Sequence, residues 1–227
     1  MNDKKESIYV TKRYCIMCVI YVTCILASNI MAVKLVNIFG LTMTSAMFVF
    51  PITYILGDVF TEIYGFKQAR LAIWMGFMCN ALMVLLFMIM IKLPFPDSWT
   101  NQESLVSVLG TTPRILLAGL IAYLFGGFSN SIIMSKLKVL TNGKYLWIRT
   151  IASTIVGEGL DCIIFAVGVF IGELPLKEIW IIIYSQFVWK VCYEILFTPL
   201  TYIVIGKIKK AEGIDVYDTN MKYKIAK

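Results

Sequence analysis

From Leu71 to Ile91 the chain runs without a charged side chain, and Asn80 is the one amide in that stretch. At about 1.5 Å of rise per residue, a helix of this length spans the roughly 30 Å of a bilayer's hydrocarbon core. A soluble helix as long would show a polar face; this stretch has none. Apolar windows recur along the chain at 14–33, 41–64, 71–91, 115–135, 150–172 and 179–206, the second and the last two interrupted by isolated charges. The pattern predicts an all-α integral membrane protein with six transmembrane helices in a single domain, 1–227. Composition agrees: only 15% of the residues are charged, where soluble domains carry about a quarter.

The cations set the orientation. Six spans put the Lys and Arg residues at 4–13, 67–70, 136–149 and 207–227 on one side, sixteen in all. Lys34, Lys92, Arg114 and Lys177 fall on the other side, and Lys190 lies inside the last span. Lys and Arg accumulate in cytoplasmic loops, so both termini are expected to be cytoplasmic, in a multi-pass protein of the cell membrane. The first window is longer than a signal-peptide core and no cleavage pattern follows it, which predicts a retained span. Pro51 is expected to kink the second span, and Pro199 lies in the sixth. Trp99, Trp147 and Trp180 fall near predicted interfaces, where aromatic residues anchor membrane proteins.

Several functions are disfavoured. The chain has no histidine, which removes Ser-His and Cys-His catalysis and His-ligated metals. A net charge of +7 suggests nucleic acid only where a basic face exists, and here the cations lie between apolar runs. The six cysteines sit within those runs, and the Cys15–Cys18 spacing lacks the soluble βαβ setting of a redox motif. An enzyme would need a carboxylate or metal centre at Glu158 and Asp161, and Lys190 nearby argues against a bound cation. No enzymatic activity, cofactor or nucleic-acid partner is expected.

The charges inside the spans carry the remaining information. Asp58 and Glu62 are four apart, and Glu158 and Asp161 three apart, so each pair shares a helix face. Counting from Thr150, Glu158 lies roughly 12 Å and Asp161 roughly 16 Å into the fifth span, and Gly157 and Gly159 are expected to keep that face open. Lys190 can pair with Glu194 on its own helix or across to Glu158 or Asp161. An ionisable group at a span's centre costs about 2.5–3.5 kcal/mol on insertion scales, so such groups face an interior or a cavity. A closed ion-pair network gluing helices together is one reading. It leaves Asp58, Glu158, Asp161 and Glu194 with a single deep cation, and surplus acids must be protonated, hydrated or paired with a ligand. Asp58, Glu62, Glu158, Asp161 and Glu194 are therefore candidates for proton coupling or gating. Ser28, Asn29, Asn80, Ser185 and Gln186 add neutral polar groups that either line a cavity or bond a neighbouring helix. Tyr54, Phe165, Tyr184 and Trp189 either stack on a flat ligand or pack. Gly57-Asp58 with Glu62 echoes Gly157-Glu158 with Asp161, either an inverted repeat or coincidence.

The stretches ASNIMAVK (27–34), FPITYILGDVFTEIYGFKQAR (50–70), RTIASTIVGEGLDCIIF (149–165), KVCYEILFTPLTY (190–202) and the tail EGIDVYD (212–218) resemble the queuosine precursor transporter family, within the vitamin uptake transporter group. The resemblance covers nearly the whole chain. It implies uptake of 7-deazaguanines such as preQ0, preQ1 or queuine, as base or nucleoside, for tRNA modification. It makes Glu158 or Asp161 the partner of the base edge, Asp58 a second acidic partner, Asn29 and Gln186 further polar contacts, and Lys190 the group facing the ring carbonyl. The alternative is a substrate-binding membrane subunit docked on a separate ATP-driven module, since the chain has no Walker motif of its own. A homodimer suits so small a transporter.

Overall fold

The computed structural model describes residues 11–38, 41–110, 113–219, 221 and 223–225. Of the cations that oriented the sequence, Lys4, Lys5, Lys222 and Lys227 lie outside these. The helices are α1 (Lys12–Met31), α2 (Phe50–Tyr64), α3 (Phe66–Lys92), α4 (Gln102–Leu109), α5 (Pro113–Leu140), α6 (Leu146–Phe170) and α7 (Leu176–Glu212). Among the described residues, five stretches are helical, long and apolar enough to cross a membrane: α1, α3, the stretch containing α5, α6 and α7. The protein is therefore a multi-pass membrane protein. The long helices turn apolar side chains outward. Met78, Leu82, Leu85, Leu86 and Ile89 of α3 are all exposed, as suits side chains that meet lipid.

The second window departs from its expectation. It is not helical throughout: Leu41–Thr44 (β2) pairs antiparallel with Leu35–Ile38 (β1), in register from Leu35 opposite Thr44 to Ile38 opposite Leu41. A 3₁₀ turn at Ser45–Phe48 leads into the 15-residue α2. Absence of charge marks a segment as apolar but does not separate a strand from a helix. Pro51 does not kink the helix. It stands in the first turn, where its missing N–H has no helical acceptor to lose. The polar loop after α3 holds a short helix, α4, that the sequence pattern did not predict.

At about 22 Å α2 is shorter than a hydrocarbon core, and it is wrapped by other helices. It runs antiparallel to α1. At one end Ser45 Oγ donates to Met31 O at 2.6 Å, and at the other Tyr14 meets Tyr64 edge-to-face, ring centres 5.2 Å apart. Phe60 fills the space between Tyr14 and Tyr21 in two more edge-to-face pairs, a geometry worth about 0.5–1.5 kcal/mol beyond burial. Val59, Phe60, Ile63 and Tyr64 are almost wholly buried. Gly65 then breaks the helix at φ +81°, and a Cβ there would lie 2.9 Å from Val216. Glycine is the residue that takes this turn without strain.

The same end of the bundle gathers the start of α1, the end of α2, the start of α3, the α5–α6 turn and the end of α7. Thr11 donates to Glu212 at 2.8 Å, and Tyr64 donates to Glu212 at 2.6 Å. The tail after α7 folds back over this end. Val216 N–H bonds Ile63 O at 3.0 Å. Asp218 accepts the Phe66 N–H at 2.8 Å and so caps α3 from outside its own helix.

Candidate binding site

Lys190 projects from α7 towards α6. Its Nζ lies 2.7 Å from Glu158 Oε2 and also bonds Asp161 Oδ2. Three residues apart on α6, both carboxylates point at one ammonium, and the side chains remain 16%, 24% and 17% exposed for Glu158, Asp161 and Lys190. Tyr54 of α2 stands against the group, within electrostatic reach of Glu158, Lys190 and Asp161. Gln186 lies one helical turn from Lys190 on α7. The cluster is partly exposed and carries two acids, one cation and a phenol.

A second acidic pair lies deeper. Asp58 of α2 and Glu194 of α7 are 2% and 3% exposed. Glu194 lies within electrostatic reach of Asp58 and Glu158 within reach of Glu194. Asn130 of α5 donates Nδ2 to Asp58 Oδ1 at 3.3 Å. Asp58 Oδ2 and Glu194 Oε1 have no hydrogen-bond partner among the described residues. No described cation is within ion-pair distance of either. The surplus of acid over cation is thus a feature of the folded bundle.

Glu62, one turn beyond Asp58, belongs to a different cluster. Its Oε1 sits 2.8 Å from Arg149, 2.9 Å from Lys209 and 3.9 Å from Lys138. Asp215 of the tail completes the group through Lys138 and, at 2.9 Å, Lys209. Lys138 also donates to the Glu62 carbonyl at 2.5 Å and the Val216 carbonyl at 2.7 Å, and its Nζ lies 4.4 Å from the centre of the Tyr217 ring. Glu62, Arg149 and Lys138 are nearly inaccessible. Burial pulls the Asp215 carboxyl up, but the bonds from Lys138 and Lys209 outweigh this and hold it below the ordinary carboxylate range.

A family model described as "Putative vitamin uptake transporter" matches residues 44–204, which include every charged group in these clusters except Lys209 and Asp215. The chain belongs to the vitamin uptake transporter family. A protein of Bacillus subtilis (strain 168) named "Probable queuosine precursor transporter" is 30% identical over 179 residues, 77% of each chain. No solved structure matches. As a member of this family the chain is a membrane transporter of a small molecule.

Some residues singled out in the sequence lie elsewhere. Asn29 donates to Asn80 at 2.7 Å, joining α1 to α3 at an exposed position, and no described contact links it to the Lys190 cluster. Ser28 is buried but returns its hydroxyl to Ile25 O, and Ser185 is exposed and bonds Ile181 O in its own helix. Tyr184 and Trp189 are 69% and 39% exposed, so they face outward rather than into a recess. Gly157 does not keep the acidic face open. A Cβ there would lie 2.8 Å from Gly126 O and from Asn130 Cβ, because α5 and α6 touch backbone to backbone. Gly159 faces the Phe187 ring instead. The Gly57-Asp58 echo has different surroundings, since nothing lies within 4 Å of a Cβ at Gly57.

Two participants carried little signal. Asn130 sits in FSNS, among residues whose commoner role is close helix packing. Asp215 lies outside every span and reaches Lys138 and Lys209 only because the tail folds back.

Proposed function

We propose that this transporter imports a 7-deazaguanine queuosine precursor, with the Glu158–Asp161–Lys190 cluster as its recognition site. One observation carries this reading: two carboxylates of one helix share a single ammonium and stay partly exposed, inside a chain of this family. A 7-deazaguanine presents ring N–H and exocyclic amine donors along one edge and a carbonyl beside them. Glu158 or Asp161 accepts the paired donors in bidentate fashion, a charge-assisted arrangement stronger than neutral hydrogen bonds. Lys190 turns to the carbonyl, Gln186 adds a neutral contact, and Tyr54 lies where the ring would enter. The cationic arm of preQ1 or queuine takes the second carboxylate. The name of the Bacillus subtilis relative supports the substrate class.

Six passes follow when α2 is counted with the five long helices. Both termini then lie at the cation-rich end, which the positive-inside rule puts in the cytoplasm of a cell-membrane protein. Uptake is coupled to protons through the acids outside the cluster, and the protein has no enzymatic step.

The test is tRNA queuosine content in a bacterium able neither to make nor to import the precursors. It would express this protein alone and be fed nanomolar preQ0, preQ1 or queuine in separate cultures. Restored modification with at least one precursor the host can process is expected. Unmodified tRNA despite membrane expression, with no ligand binding by the purified protein, would overturn the reading. Restoration only when an ATPase module is added would put the protein in an ATP-driven complex.

A further inference from the structure

Asp58 and Asn130 leave a matched pair of atoms unused. One hydrogen bond already joins them, from Asn130 Nδ2 to Asp58 Oδ1 at 3.3 Å. The other two oxygens, Asp58 Oδ2 and Asn130 Oδ1, are buried and have no partner among the described residues. An ionised carboxylate only accepts, as does an amide oxygen, so the residues cannot complete their contact as they stand. One proton on Asp58 Oδ2 supplies the missing donor, and acid and amide then share two hydrogen bonds in a ring. Buried polar atoms are rarely left unpaired.

The surroundings favour a neutral acid here. From α7 Glu194 faces Asp58, from α2 itself Glu62, and from α6 Arg149. The single cation among them is held by Glu62 at 2.8 Å, and Asp58 is 2% exposed. We infer that Asp58 binds a proton on Oδ2 and donates it to Asn130 Oδ1, which makes this pair a proton-binding site separate from the Lys190 cluster. Glu194, whose Oε1 has no partner among the described residues and which lies within electrostatic reach of Glu158, is the next acceptor between this site and that cluster. Use of the site to drive uptake rests on the function proposed above; the site itself does not.

Infrared spectroscopy of the purified protein at neutral pH tests the site without any ligand. A carbonyl stretch of a protonated carboxylic acid, above the carboxylate bands, is expected in the wild type. Asp58→Asn should remove it while preserving the fold, because the new amide can form both hydrogen bonds with Asn130. Asn130→Ala should move the band to higher wavenumber by removing the acceptor, and this arm decides the matter if the first variant does not fold. A wild-type spectrum with no such band would overturn the proposal. So would a band that survives Asp58→Asn and vanishes in Glu194→Gln. Because no substrate is added, a protein that shows the Asp58 band yet carries no 7-deazaguanine would break the uptake reading alone.

Discussion

Two charged clusters lie along this bundle, and they differ in the balance of charge. At the helix ends, Glu62 and Asp215 meet Arg149, Lys138 and Lys209, and the tail closes over them. Deeper in, Glu158 and Asp161 share Lys190, and Asp58 and Glu194 lie buried with no described cation in ion-pair reach. The first cluster has cations in excess and is packed shut around Glu62. The second has acids in excess and keeps Glu158, Asp161 and Lys190 partly exposed; each cluster holds a buried carboxylate oxygen with no partner among the described residues, Glu62 Oε2 in the first and Asp58 Oδ2 and Glu194 Oε1 in the second. A closed cluster holds helices in place; an open one with surplus acceptors is equipped to receive donors. Buried ion pairs are weak evidence of stability, so what separates the two is which property fails when each is cut.

Lys190→Met should have the largest effect. It leaves Glu158 and Asp161 side by side without a counter-ion, a change on the scale of about 3–5 kcal/mol for one partner of a buried pair. Uptake measured through tRNA modification should fall by more than about 100-fold. Arg149→Met should act on the fold instead. Thermal unfolding in detergent should show a loss near the lower end of about 3–5 kcal/mol, because Lys209 still reaches Glu62 at 2.9 Å. Gly157→Ala should cost about 1–3 kcal/mol by pushing a methyl into the α5 backbone. Gly57→Ala, with open space around it, should be neutral or stabilise by up to about 1 kcal/mol, and the same melts compare the two. Asp218→Ala should cost about 1 kcal/mol through the lost cap on α3.

The smallest effect concerns pH. A carboxyl held below its ordinary range, as at Asp215, stabilises the folded state above its unfolded pKa of about 4. That contribution disappears as pH falls through the lower folded value. Hydrogen exchange at Val216 N–H, bonded to Ile63 O, should accelerate beyond its intrinsic pH dependence only below about pH 4. Asp215→Asn should remove that extra step.

Hydropathy made the five long helices legible, because lipid accepts apolar side chains on every face and the runs need no periodicity. It could not reveal β1 and β2, since a charge-free segment that pairs with its neighbour reads like a helix. The acid surplus was legible as a count of residues. The partner of Lys190 was not: Glu194 at i+4 and the acids of α6 were equally open, and packing of α7 on α6 decided for α6. Glu62 read as a candidate for proton coupling or gating, yet Arg149 and Lys209, the latter 147 residues away in sequence, close over it. Asn130 went unweighted because its importance lies in one contact across two helices.

The most direct test of the account is 7-deazaguanine binding by purified Glu158→Gln beside the wild type, with melting temperatures recorded on the same samples. A hydrogen bond to a charged group is worth about 1.5–3 kcal/mol, so affinity should drop on the order of 10- to 100-fold while the melting temperature stays close to that of the wild type. Unchanged affinity in Glu158→Gln and in the matching Asp161→Asn variant would show that the open cluster does not recognise the substrate and would contradict the account.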